Sequence, residues 1–184
     1  MKKEDLGHLR KTYLKGSLGP KEIKDDPISF FKEWFRQADL SPEIEEANAM
    51  TLSTLGLDNF PKGRVVLLKS LTDEGFVFYT NYQREKALGI EHNSKVGIFF
   101  FWPILERQVI IKGEAFKLEA KISDVYFKSR PKGSQIGAIV SDQSKVISDR
   151  SIIEAKQEAL EIEYTNKDIE RPEHWGGYLV KPIS

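Results

Sequence analysis

Residues 64–80 read RVVLLKSLTDEGFVFYT, and the fold turns on how this stretch is read. Arg64 to Lys69 is apolar and rich in β-branched residues, and Phe76 to Tyr79 is apolar and aromatic; both compositions favour strands. Between them, Asp73-Glu74-Gly75 has turn chemistry, acidic residues followed by a glycine that tolerates positive φ. The stretch therefore predicts a hairpin of two short strands. Its framing is cationic: Arg64 and Lys69 bound the first strand, and Tyr79-Thr80-Asn81 ends the second with hydroxyl and amide groups. An apolar ribbon rimmed this way can hold a flat, anionic ligand. A core hairpin with solvated ends is the alternative, since charged side chains are normally exposed.

Working outward, Ala49 to Leu55 alternates apolar and small polar residues, the pattern of a half-buried strand. Gly56 to Gly63 is read as a turn, Lys95 to Trp102 as a dense apolar strand and Glu106 to Leu118 as a longer one. Five strand-like runs before residue 120, joined mostly by short turns, predict an antiparallel barrel rather than a doubly wound sheet. One short helix, Arg84 to Asn93, interrupts them. Upstream, Asp26-Pro27 pairs an N-cap residue with proline at the first helical position. Phe30, Phe31, Trp34 and Phe35 follow at helical spacing as a core stripe, and the helix ends near Leu40. Beyond residue 120 the pattern turns helical over 123–129, 134–140 and 149–164, before a last strand from Trp175 to Val180. The expected class is mainly β with peripheral helices (α+β). Residues 1–25, polar with scattered leucines, are expected to form a mobile arm, and 26–184 a single domain.

Lysine plus arginine and aspartate plus glutamate both number 28 among 184 residues, so no bulk attraction to nucleic acid or acidic membranes is expected. Cysteine is absent, which excludes disulfides, thiolate metal sites and cysteine nucleophiles and fits a reducing compartment. No signal-peptide core and no bilayer-length apolar run is found, so a cytoplasmic protein is expected. The three histidines, His8, His92 and His174, have no metal-ligand spacing, and no metal site is expected. Neither a P-loop, a nucleophile elbow nor a dinucleotide fingerprint is present.

Anion binding remains. Arg130-Pro131-Lys132-Gly133-Ser134-Gln135 is a basic loop leading into a helix. The unpaired N–H groups and positive dipole end of a helix start cradle phosphates, and Arg130 adds a bidentate fork. Two anion sites among aromatics suit one phosphorylated cofactor and one phosphorylated substrate.

Six motifs then fall in order: RVVLLK, GFVFYTN, ERQV, YFKSRPKGSQIGA, SDQS and RPEHWGGY. Together they resemble the pyridoxamine/pyridoxine 5′-phosphate oxidase family over nearly the whole chain. The resemblance implies a split β-barrel with Greek-key strands and a homodimer with FMN at the subunit interface. It also implies oxidation of pyridoxamine or pyridoxine 5′-phosphate to pyridoxal 5′-phosphate, with O2 as acceptor and H2O2 released. Position by position it assigns FMN to Arg64, Val65, Val66, Leu67, Leu68, Lys69, Tyr79, Thr80, Lys86, Gln108 and Trp175, and to Gln143 and Ser144 donated from the partner chain. It assigns the substrate to Lys69, Tyr126, Arg130 and Ser134, and to a closing segment Arg10, Lys11, Thr12 and Tyr13. No catalytic acid or base is assigned. Two departures accompany it. Arg84-Glu85-Lys86 stands where the family usually has Ser-Arg-Lys, so Glu85 replaces a phosphate cation and lower FMN affinity is expected unless Arg84 substitutes. The family's C-terminal strands with an Arg-Leu-His motif do not follow Ser184. Either a tail beyond Ser184 is expected to complete the site, or the chain is an FMN- or pyridoxal-phosphate-binding module with little turnover.

Overall fold

The computed structural model describes residues 6–140 and 149–184. Its described strands are β1 (Ala49–Leu55), β2 (Pro61–Leu67), β3 (Ser70–Thr72), β4 (Gly75–Asn81), β5 (Lys95–Trp102), β6 (Arg107–Lys117) and β7 (Trp175–Pro182). The helices are α1 (Pro27–Asp39), α2 (Glu85–His92), α3 (Ala120–Ser129), α4 (Lys132–Val140) and α5 (Arg150–Glu163). The strands form one seven-stranded antiparallel sheet in the order β2-β1-β5-β6-β7-β4-β3. Among the described residues no helix is long and apolar enough to cross a membrane.

The quoted stretch is not one hairpin. Residues 61–67 pair with β1, Arg64 opposite Leu52, while the partner of β4 is the short strand β3, Ser70 opposite Val77. Sequence reading ran the first strand on to Lys69, because Leu67 to Lys69 carries no turn residue, and gave Ser70–Thr72 no strand of its own. It also placed the turn end too late, since Lys62 and Gly63 already pair with Thr54 and Ser53. Gly75, at φ 146°, makes the β3–β4 turn, a backbone state that L side chains rarely adopt.

The strand order has a geometric consequence. β2 and β3 lie at opposite edges of the sheet, yet Leu67 and Ser70 are three residues apart. Three steps of about 3.8 Å bridge at most about 11 Å, so the sheet must curl until its edges meet, and β2 contacts β4. This is a split β-barrel with Greek-key connectivity.

The chain divides into two compact units, residues 1–47 with 101–109, and residues 48–100 with 110–184. In the first, Asp26 caps α1 through the N–H groups of Ile28 and Ser29. Phe31 packs 6.2 Å from Trp102, whose indole N–H donates to the Ala47 carbonyl. Glu106, in left-handed conformation at φ 55°, accepts from the N–H groups of Leu14 and Lys15 and pairs with Lys11 at 3.1 Å.

In the second unit, alternate residues of β1 and β5 (Met50, Leu52, Ile98, Phe100) are fully buried. Phe78 stands opposite Tyr178 across β4 and β7, their rings stacked at 5.5 Å. Each such buried side chain contributes about 1.5–3 kcal/mol of apolar transfer. A second cluster joins Phe127, Ile136, Ala138, Val140, Ile169 and Trp175, and packs α3 and α4 beside the start of β7. Helix α3 begins at Ala120 and α4 at Lys132, earlier than the sequence pattern placed them.

Candidate functional site

Five separated stretches converge in the second unit. The end of β2 and the link to β3 bring Val66, Leu67 and Lys69; β4 brings Tyr79 and Thr80; α2 brings Lys86. The α3–α4 corner brings Tyr126, Arg130 and Ser134, and β7 brings Trp175. All ten line one cavity of about 500 Å³, within the usual range for a small-molecule site. A neighbouring lobe of about 330 Å³ shares Thr80, Arg130, Ser134 and Trp175 and adds Asn81, Arg84, Gly137 and Ala138.

The α3–α4 corner follows from local chemistry. Arg130 precedes Pro131, which disfavours the α region, and its backbone is extended at φ −73°, ψ 149°. The buried Gln135 side chain donates to the carbonyls of Arg130 and Lys128, at 2.8 and 3.3 Å, and fixes the bend. Arg130 then lies over the Trp175 ring at 4.6 Å, a cation–π placement. Its Nη1 is buried and has no hydrogen-bond partner among the described residues. Burial pushes its pKa down, opposed by the nearby Tyr126. A buried guanidinium with an unmet donor is costly unless an anion meets it.

The aromatic floor is ordered. Tyr79 stacks on Tyr126 at 3.9 Å and on Trp175 at 5.4 Å, with interplanar angles of 16° and 10°. Desolvation pushes both tyrosine hydroxyls up. Gly177, opposite Tyr79 in the β4–β7 register, leaves no room for a side chain, because an added Cβ would lie 2.6 Å from Leu118 Cδ1 and 2.8 Å from Tyr79 Cε1. Arg171 secures the start of β7 by donating to Asp124 and to the Trp175 carbonyl, both at 2.6 Å.

The cations beside α2 form the electrostatic feature. Burial pushes the Lys86 ammonium down, and the charges of Arg84 and Arg64 push the same way, against Glu85. Arg64 donates to Thr54 Oγ1 at 2.7 Å. Glu85, exposed, pairs with Lys62 at 2.8 Å and lies 4.0 Å from Arg64. Lys69, Arg84, Lys86 and Arg130 have no ion-pair partner among the described residues. An orphaned guanidinium donor, unpaired half-buried cations and a stacked aromatic floor fit a phosphorylated, planar ligand such as FMN.

The remaining sequence-assigned residues fall elsewhere. The pleat turns Val65 outward, 68% exposed, and sends Leu68 into the core. Gln108, exposed on β6, and Arg10, Lys11, Thr12 and Tyr13 belong to the first unit. Gln143 and Ser144 lie outside the described residues. The family pattern did not assign Asn81, although its amide was read as part of the hairpin's polar rim, and it offered Arg84 only as a substitute for the cation lost at Glu85. The signal for Arg84 was the start of α2, which makes it the residue immediately before the helix.

The family described as pyridoxamine 5′-phosphate oxidase matches residues 37–163. The pyridoxine/pyridoxamine 5′-phosphate oxidase of Flavobacterium johnsoniae is 54% identical over 179 residues, covering 97% of this chain and 84% of that protein. Its namesake in Flavobacterium psychrophilum is 52% identical with the same coverage. Among solved structures, PhzG from Burkholderia lata 383, in complex with tetrahydrophenazine-1-carboxylic acid, aligns with a TM-score of 0.83 at 25% identity. That match covers 90% of this chain and 82% of PhzG. A pyridoxamine 5′-phosphate oxidase-related, FMN binding protein from Nostoc punctiforme aligns with a TM-score of 0.66 at 12% identity, over 88% of this chain and 84% of its own, a likeness of fold alone. The fold thus defines a split-barrel protein. The chain belongs to the pyridoxamine 5′-phosphate oxidase family.

Proposed function

We propose that this chain binds FMN and oxidises pyridoxamine and pyridoxine 5′-phosphates to pyridoxal 5′-phosphate. In this reading O2 is the acceptor, H2O2 is released, and the working form is a homodimer with FMN at the subunit interface. One observation carries it: Lys69, Lys86, Tyr126, Arg130, Ser134 and Trp175, scattered over more than a hundred positions, line a single cavity. Relatives bearing the oxidase name at about half identity over nearly the whole chain support it.

Val66, Leu67, Tyr79, Thr80 and Trp175 would hold the cofactor's ring, and Arg64 and Lys86 its phosphate. Gln108, and Gln143 with Ser144 from a partner chain, complete the set that the family pattern assigns. When bound, FMN supplies the hydride-accepting chemistry. Lys69, Tyr126, Arg130 and Ser134 would hold the substrate phosphate, and Arg10 to Tyr13 would close over it. Arg130 Nη1 donates to a phosphate oxygen, a charge-assisted bond strengthened by its burial. Anchoring the phosphate orients the substrate ring, the proximity contribution to rate. The apolar and aromatic walls exclude water, which strengthens each of these charge contacts.

The test is direct. The purified chain is examined for a flavin absorbance spectrum, then given pyridoxine 5′-phosphate in air while peroxide and aldehyde are measured. Both products are expected, in equal amounts. Bound flavin without either product would make the protein a binding module, and a chain that takes up no flavin would sink the proposal.

A further inference from the structure

Arg84, Glu85 and Lys86 are consecutive, yet they divide between two surroundings. Arg84 lines the smaller lobe with Thr80 and Asn81, Lys86 lines the larger lobe with Thr80, and Glu85 faces Lys62 on β2. The local structure explains this division. Asn81 Oδ1 accepts from the Gln83 N–H, and the Asn81 carbonyl from the Arg84 N–H, so a tight turn presents Arg84 as the residue that opens α2. The Arg84 carbonyl accepts from the N–H groups of Ala87 and Leu88. Its side chain makes no capping hydrogen bond and is left for the lobe. Helical rotation places Glu85 about 100° away, where Lys62 holds it at 2.8 Å while also pairing with Asp58 at 2.8 Å.

We propose that Arg84, whose lobe shares Thr80 with the lobe lined by Lys86, joins Lys86 in holding the phosphate ester of the flavin cofactor, and that the Lys62–Glu85 pair keeps the intervening carboxylate turned away from it. The inference rests on the FMN reading above and deepens it. Two half-buried cations without an ion-pair partner among the described residues carry a desolvation cost that a dianionic phosphate offsets. The mutual repulsion of Arg84 and Lys86 is relieved by the same anion. A carboxylate turned inward at position 85 would remove that advantage, so Lys62 acts as a positioning residue without touching the ligand. The subsite makes the protein selective for FMN over riboflavin, which shares the ring system but lacks the phosphate.

The test compares binding of FMN and riboflavin to flavin-free protein, by quenching of flavin fluorescence. Arg84→Ala is expected to weaken FMN about ten- to hundredfold, the loss of one charge-assisted hydrogen bond, and to leave riboflavin unchanged. Arg84→Lys retains part of the preference, which guards against a folding defect. Lys62→Met weakens FMN severalfold, and adding Glu85→Gln to it restores FMN binding. Equal weakening of both flavins by Arg84→Ala would overturn the assignment, as would no change in either. A changed KM for pyridoxine 5′-phosphate with FMN preference intact would also overturn it, moving Arg84 to the substrate. Wild-type protein that binds neither flavin overturns the FMN reading itself, and this inference with it.

Discussion

Arg130→Ala separates the substrate side of the cavity from the cofactor side. The guanidinium lies over Trp175 at 4.6 Å and Phe127 at 5.8 Å, and its Nη1 is buried without a partner among the described residues. Losing the cation–π contact costs about 0.5–1 kcal/mol. Removing a buried, unmet donor returns about 1–3 kcal/mol. The ligand-free protein should therefore be no less stable, with Tm unchanged or raised by a few degrees. Substrate binding behaves differently, because a hydrogen bond from a charged donor contributes about 1.5–3 kcal/mol. KM for pyridoxine 5′-phosphate should rise about 10- to 150-fold, the same range converted at RT of about 0.59 kcal/mol, while the protein stays yellow. Arg130→Lys keeps charge but not the planar fork, and should fall between. The assays are initial-rate peroxide production against substrate concentration, the flavin spectrum of the purified variant, and a thermal melt. A variant that loses its flavin would reassign Arg130 to the cofactor, and an unchanged KM would remove it from the site.

Three further outcomes follow from the core and the assembly. Tyr178 has a buried hydroxyl with no partner among the described residues, so Tyr178→Phe should gain about 1 kcal/mol, read as a shift in the urea midpoint without a change in slope. Burial pushes the Tyr178 phenol well above its ordinary value, so the folded state holds this proton more tightly than the unfolded chain. Its stabilisation is therefore full below the unfolded pKa of about 10 and is lost as pH rises beyond it, and alkaline destabilisation should be smaller in Tyr178→Phe than in wild type. Phe78→Ala, which empties a fully buried position stacked on Tyr178, should cost about 3–5 kcal/mol in urea unfolding. In light-scattering chromatography the dimeric reading requires twice the 21.1 kDa chain mass, and a monomer that is fully active would refute it.

Much of this fold was legible because its signals are local. Asp26-Pro27, the alternation of Ala49 to Leu55, and the dense run Lys95 to Trp102 each fix an element through capping or periodicity, and α1, β1 and β5 have the expected bounds. The early start of α3 was harder to see, since Ala120-Lys121 opens it with no side-chain cap. The basic loop before α4 was legible from its residues alone as a loop leading into a helix start. What local pattern could not supply was the partner of each strand. Val66 and Leu67 look like half of a hairpin, yet β2 pairs upstream with β1, a long-range choice made by burial on the curled sheet. The direction of Glu85 was likewise out of reach, because it depends on Lys62 standing across from it on another strand.

The same crossing that defeats the hairpin reading assembles the site. The peptide from Leu67 to Ser70 carries the chain from one edge of the sheet to the other, and Lys69 stands on it, its N–H bound to the Val77 carbonyl at 2.8 Å. Closure of the barrel therefore puts the ends of β2 and β4 side by side. The cationic residue at the crossing, though exposed, then lines the cavity with Tyr79, Thr80 and the α3–α4 corner. Arg64, five residues earlier and on β2, is directed instead to Thr54 and Glu85. Two cations that bound one apolar run in the sequence thus have different surroundings: Lys69 lines the cavity with Arg130 and Lys86, and Arg64 lies outside its lining, beside Thr54 and Glu85. A hairpin would have left both at solvated strand ends. Barrel closure is what gives these two cations, set at the ends of one run in the sequence, separate surroundings.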